Sequence, residues 1–362
     1  MSKAAQLAAL IGSGQAQGNK NLIINGAMQV AQRGTSFTST GYTLDRMQML
    51  TANTDNVAFT TTQSSTAPDG FASSLKVDIT TAESALDSNE LFRLLYKAEG
   101  QDLQQLNYGS SAATSVTLSF YVRSNVTGVY AVEFRLNAEG TSTITKQYTI
   151  SSANTWERKT LTLPANTAAA IDNDNSNGLE ISFALAAGSN FTTGALGTSW
   201  ASTATASRYA GQAANVMSSA SNEWLITGVS LEIGDVATPF EHESFAATLQ
   251  KCQRYFYRFP RVDASGTSNT LCIGMGQSTN TFRGVVFFPS SMRANPTMAA
   301  SGSFRVFNGG TLNPSSGPSL GHATQENASI SVSTGAGIST LDGLALTQNS
   351  DADANLQFSA EL

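Results

Sequence analysis

Two histidines, two cysteines and a scatter of carboxylates are what a chain of 362 amino acids offers for covalent or metal chemistry. His242 lies between Glu241 and Glu243 and reads as a solvated or interface residue, and His322 closes a Gly/Ser/Pro/Asn-rich stretch. There is no paired-His metal motif and no Gly-rich phosphate loop. Neither a nucleophile elbow nor a Cys/His pair at a recognisable spacing is present. Glu232, Asp235, Glu241 and Glu243 could feed a polysaccharide-cleaving pair, but that chemistry needs two carboxyls a few ångströms apart and an extended groove. Ordinary clustering near a strand end explains them, and the expectation is a protein that is not an enzyme.

Two other constellations concern binding. Asp172, Asp174, Ser176 and Glu180 place hard oxygen ligands at alternate positions around Gly178, as a calcium loop would. The run is shorter than an EF-hand loop, and an Asn/Asp/Gly turn between strands explains it equally. Sugar recognition usually sets an aromatic face against a pyranose, with polar side chains alongside. Trp200, near Arg208 and Tyr209 in the Gly/Ser/Thr-rich stretch 188–221, is the candidate for that role, and His322 is a second one in the last domain. The competing reading is that Trp200 covers its own domain. Trp156 and Trp224 lie in strand patterns and are assigned to the core.

The elements that must position these groups are mostly strands. Val116–Arg123 alternates Val116, Leu118, Phe120 and Val122 against polar neighbours; Val129–Leu136 and Leu179–Leu185 repeat the pattern. Trp156–Leu163 and Trp224–Glu232 join them, separated by Gly/Asn/Ser/Thr turns. Alternation of this kind is the mark of antiparallel sheets with one covered face, so residues 21–240 are predicted to form a β-sandwich, or jelly roll. Residues 2–14 carry a helical stripe (Ala4, Leu7, Ala8, Ile11) followed by a tether, giving an anchoring segment over 1–20. A helix that short is marginal alone and has to dock on something. Phe245, Leu249 and Cys252 predict a linking helix within 241–258. Residues 259–362 read as a smaller β-sandwich head, with strands at 282–289, 303–307, 330–332 and 355–359 and a long loop from Asn308 to His322.

Charged residues make up 13% of the chain, against about 25% in ordinary globular domains. Ser, Thr, Asn, Gln and Gly take their place, which suits surfaces that pack on copies of themselves or on sugars. A net charge of -6 without a basic cluster excludes a nucleic-acid partner. No apolar run of about 18 residues predicts a membrane span. Cys252 and Cys272 read as partly buried free thiols, and with no secretion signal the expectation is assembly in a reducing bacterial cytoplasm.

Four stretches carry a resemblance. They are Asn21-Leu-Ile-Ile-Asn-Gly-Ala-Met-Gln-Val-Ala-Gln-Arg-Gly-Thr35, Tyr42-Thr-Leu-Asp-Arg46, Trp224 through Glu241, and Cys252-Gln-Arg-Tyr-Phe-Tyr257. With Phe288–Pro296 and the ending Phe358-Ser-Ala-Glu-Leu362, they run in order over nearly the whole chain. Together they resemble the tail-fibre and related virion structural proteins of marine tailed bacteriophages. Met47 departs from the pattern, which has a Trp after Asp-Arg. The resemblance implies a jelly roll like a carbohydrate-binding module followed by a receptor-binding head. It also implies a homotrimer in the virion tail and attachment to host surface polysaccharide. Residues 2–14 would meet a tail adaptor, nozzle or other virion protein. No cofactor is implied beyond the calcium loop. The alternatives are a capsid head fibre or decoration protein, and a tailspike depolymerase.

Overall fold

The computed structural model describes residues 20–54, 56–137, 142–260, 269–308, 311–314, 317–334 and 337–362. The anchoring helix expected at 2–14 lies outside them. The chain divides into two compact units, the first ending at Glu243 and the second running from Ser244 to Leu362. The helix Phe245–Gln253 and the strand after it therefore belong to the second unit, where a separate linking segment was expected.

The first unit is an antiparallel β-sandwich. One sheet has six strands, in the order β1 (Ser36–Phe37), β4 (Ala58–Ser64), β5 (Ser74–Thr81), β13 (Glu223–Ile233), β7 (Val116–Ser124) and β10 (Glu157–Leu163). The other has seven, in the order β12 (Ala201–Ser202), β9 (Ser142–Ile150), β8 (Gly128–Leu136), β11 (Asn177–Ala187), β6 (Leu91–Glu99), β3 (Gln48–Ala52) and β2 (Gly41–Tyr42). The predicted alternation is realised: Leu118, Phe120 and Val122 face Tyr130, Val132, Phe134 and Ile181 across one core. Phe120 packs edge-on against Tyr148 and Phe183 at centroid distances of 5.1 and 5.2 Å, and Trp224 is fully buried beside them. Such pairs place a ring edge on a ring face, the favoured geometry for aromatic quadrupoles.

The first two motif stretches hold this sandwich shut. Asn21 spans a break in β13, donating to the Val229 carbonyl (3.0 Å) and accepting from the Leu231 N–H (3.0 Å). Gly228, at φ 61°, makes that break, a bulge between Thr227 and Ser230. Gly26 is required by close approach, since a Cβ there would stand 2.0 Å from the Val229 carbonyl oxygen. Asn25, also left-handed at φ 62°, donates to the carbonyls of Val30 and Asp45. The second motif is anchored by several contacts. The Asp45 carboxylate accepts both the backbone and side-chain N–H of Gln32 (2.7 and 2.6 Å). Arg46 donates to the Lys97 carbonyl and lies over the Tyr96 ring.

The second unit is a smaller sandwich. A three-stranded sheet, β14 (Phe256–Phe259), β23 (Asn355–Ser359) and β17 (Thr297–Ser301), packs on a seven-stranded one. The latter runs β19 (Thr311–Pro314), β18 (Phe304–Asn308), β22 (Gly343–Gln348), β15 (Thr270–Ser278), β16 (Thr281–Phe287), β21 (Asn327–Ser333) and β20 (Ser319–Ala323). The stretch Asn308–His322 was expected to be one long loop. It contains β19 and the start of β20 instead, with Pro314 tolerated because β19 is an edge strand. The last two motifs close the core on each other: Arg293 donates to the carbonyls of Ala360 (2.6 Å) and Glu361 (2.9 Å), and Phe288 meets Phe358 at 5.0 Å. The helix is capped by Ser244, whose hydroxyl accepts from the Ala247 N–H. It buries Thr248, Cys252 and Gln253; Phe245, expected on its apolar stripe, is largely exposed.

Candidate binding faces

The stretch 188–212 lies against the outer face of the first unit's seven-stranded sheet, and two of the predicted sugar-binding residues fasten it there. Arg208 donates from Nε and Nη2 to the two oxygens of Glu133 on β8, both at 2.8 Å. Glu133 is 1% exposed, so this is a buried, bidentate pair. The hydrogen bond to Glu133 raises the Arg208 pKa and outweighs burial, which opposes it. Tyr209 is wholly buried among Leu91, Ala131, Ala184 and Ala187. Its hydroxyl shares a 2.7 Å hydrogen bond with Ser182 and accepts from Arg93 at 3.2 Å, and burial pushes its pKa up. Backbone carbonyls of the stretch are taken by Thr145 and Gln147, and Gln212 accepts the Ala131 N–H.

Arg208 and Tyr209 are therefore correctly placed to cover a sheet and wrongly placed to present an aromatic face to a sugar. Trp200 is partly buried. Its indole N–H donates to the Pro164 carbonyl at 2.8 Å, its ring meets Tyr108 edge-on at 6.0 Å, and its body packs on the main core. Sequence carries no trace of these two partners, which lie 36 and 92 residues away. His322 is exposed, on the edge strand β20 of the second unit.

The proposed calcium ligands do not converge. Asp174 accepts the Ser176 N–H in a tight turn (2.9 Å), and Glu180 accepts from Asn177 (2.8 Å) and Asn137 (3.3 Å). Asp172 contributes its carbonyl to Gln104 while its side chain is exposed. Among the described residues no group of three or more His, Cys, Asp or Glu is placed to hold a metal ion. Near the end of β13, Glu232 is buried and accepts from the Thr238 hydroxyl (2.6 Å), and His242 sits against Phe71 and Phe240 at 4.9 and 5.0 Å.

Beside the covered rows of the first unit runs a partly exposed polar row that sequence reading missed. Thr143, Arg135, Glu180 and Lys97 are direct cross-strand neighbours on β9, β8, β11 and β6. Directly opposed residues in antiparallel sheets stand about 4.5–5.5 Å apart. Arg135 Nε, and nearby on the same sheet Gln48 Oε1 and Asn177 Oδ1, are buried without a hydrogen-bond partner in the chain. Buried polar atoms left in that state are rare in folded proteins. The sequence signal was available in principle, because the register follows once β8, β9 and β11 are aligned by their apolar faces.

The second unit presents a different face. On the outer side of its seven-stranded sheet, Phe307, Ala345, Ile273, Val285, Ser329 and His322 form one row across six strands. An open concavity of about 570 Å³ lies along β15 and β16, walled by Ile273, Met275, Val285 and Leu341 with Arg283 and Thr340 at its margin.

No protein-family model matches the chain, and no curated protein matches its sequence. Among solved structures, it is similar to the enzymatically active domain of bacteriophage CBA120 tailspike protein 4, at 13% identity and a TM-score of 0.32. That likeness covers 59% of this chain and 21% of the tailspike, so the chain spans about a fifth of that relative. It is also similar to the family 11 carbohydrate-binding module of a Clostridium thermocellum cellulase, at 12% identity and a TM-score of 0.29, over 58% of this chain and 98% of the module. A third likeness is to TmCBM61 in complex with β-1,4-galactotriose, at 10% identity and a TM-score of 0.28, over 59% of this chain and 99% of that one. These likenesses are too distant to carry a function across.

Proposed function

We propose that this chain is a non-enzymatic subunit of a phage fibre that attaches the virion to host surface glycans. The observation that carries the binding half is the polar row Thr143–Arg135–Glu180–Lys97, flanked by buried donors and acceptors that the chain itself does not satisfy. A pyranose presents hydroxyls at a spacing that such a row can meet in series, and the guanidinium and carboxylate give charge-assisted bonds to them. The fibre half is supported by the ordered motifs, each of which closes a part of one sandwich or the other. One site of this kind binds weakly. Homotrimeric display would turn several weak contacts into firm attachment through effective concentration.

Affinity electrophoresis of the full chain through gels containing envelope polysaccharides of candidate hosts tests the reading. Retardation by at least one polysaccharide is expected, and Arg135→Ala should abolish most of it while leaving the melting temperature within about 2 °C of wild type. No retardation in any gel, or retardation that Arg135→Ala leaves intact, would refute it. Polysaccharide recovered after incubation should keep its chain length; shortened oligosaccharides would make the chain a depolymerase. Antibody labelling of virions decides between tail and capsid, for which the same binding chemistry serves.

A further inference from the structure

We infer that the outer face of the second unit's seven-stranded sheet is a contact face between copies of this chain. An antiparallel sheet covered on one side alternates apolar inward and polar outward residues. The inward half of that rule holds, with Cys272, Phe282, Val286, Leu344 and Leu346 buried. The outward half fails. Ile273 is 74% exposed, Met275 52%, Val285 41%, Phe287 74% and Phe307 40%, and Leu341 stands beside them at 76%. These six are most of the large apolar side chains that the described residues expose anywhere on the chain. They gather on one face because β15 and β16 are paired in register and β18 reaches the same row through β22.

Area argues for a protein occupant. At these exposures the six together leave on the order of 600 Å² of largely apolar surface in water. That is at the upper end of what a monomer tolerates, about 300–600 Å². With the polar margin of Arg283, Ser329 and His322 added, it approaches the roughly 800 Å² that each partner buries in a stable complex. An apolar centre with a polar rim is also how such interfaces are built.

Composition argues for a second copy. The centre is apolar, with Arg283 and Thr340 at its margin, and an identical face needs no hydrogen-bonding side chain at such a centre. Around a symmetry axis the same apolar residues from each copy meet without any complementary charge having to be supplied. A chain with 13% charged residues has few charges to hold such faces apart. This inference goes beyond the attachment reading and does not depend on which ligand, if any, the polar row binds.

Analytical ultracentrifugation of the full chain at micromolar concentration tests it. Wild type should sediment with the mass of more than one chain. The double variant Ile273→Glu/Phe287→Glu should fall to a single chain, or dissociate at least a hundredfold more readily, while keeping its cooperative thermal melt. The control Val236→Glu, at a 70% exposed apolar residue of the first unit, should stay assembled. A wild-type mass of one chain would overturn the inference and give the face to another partner. So would a double variant that remains assembled. Should the double variant lose its cooperative melt, the single exchange Ile273→Lys carries the test to the same two outcomes. Polysaccharide retardation is measured separately, so a failure of assembly and a failure of glycan binding are told apart.

Discussion

Replacing Arg208 by Ala should strip the cover from the first unit's seven-stranded sheet. The Glu133 carboxylate is 1% exposed and receives two guanidinium N–H bonds at 2.8 Å. With Arg208 gone, a buried charge has no compensation, a change that costs about 3–5 kcal/mol. For a unit of this size each kcal/mol moves the midpoint by about 2–4 °C, so a drop on the order of 10 °C is expected in its calorimetric transition. The argument has a second arm. Glu133→Leu combined with Arg208→Leu removes both charges together and should cost less than Arg208→Ala alone, because an apolar pair of similar volume removes the desolvation penalty. A loss below about 1 kcal/mol for Arg208→Ala would refute the reasoning, since that is what a solvent-screened surface pair is worth. So would a double variant less stable than the single.

Trp200→Ala should destabilise the first unit by about 2–3 kcal/mol through the lost Pro164 hydrogen bond and ring packing, with polysaccharide retardation unchanged; a loss of retardation at unchanged stability would return Trp200 to the binding site. Calcium in excess, followed by a chelator, should move the melting temperature by less than about 1 °C; a rise of several degrees would make 172–180 a cation loop. The Glu223 carboxyl is pushed up by burial but held below its ordinary value by the hydrogen bonds and charges of Lys76 and Arg123. A depressed folded-state value stabilises the fold above the ordinary 4.5 and loses that contribution as pH falls through the folded value. Denaturant midpoints of wild type should therefore fall more steeply below pH 4.5 than those of Glu223→Gln; parallel profiles would show that the pair does not couple to folding.

What was legible in the sequence was local. Period-two alternation located β7, β8, β11 and β13 because each strand's inward face is a property of consecutive residues. The sandwich followed from their number. The cover was not legible, because Arg208 meets Glu133 across 75 residues and Tyr209 meets Ser182 across 27. One trace of it does exist: Ala131 and Ala184 stand at outward positions where polar side chains were expected, and they leave the room that Tyr209 fills. In the second unit, β15 was missed because Gly274 and Gly276 interrupt its pattern. The run Val285-Val286-Phe287-Phe288 was read as part of one strand over 282–289. Its lack of alternation was the sign that both faces are apolar. The stretch 172–180 could not be read one way from sequence for a general reason: the same Asp, Asn and Gly spacing that ligates a cation also makes a turn.

The strand β23 lies between β14 and β17, although some 95 residues separate it from β14 in the chain. During synthesis, then, the core of the second unit stays open until Asn355–Ser359 has emerged. At about 5–20 residues per second that interval is roughly 5–20 s. For the greater part of this time β15 and β16 are already made and their apolar face is in water, while the sheet that backs them is incomplete. Neighbouring nascent chains on one message would be at risk of sticking together through half-formed heads. The low charge that favours packing of finished copies gives no protection at this stage. The order of manufacture therefore makes prompt completion, or cover by a chaperone at that window, an advantage that the finished fold no longer displays.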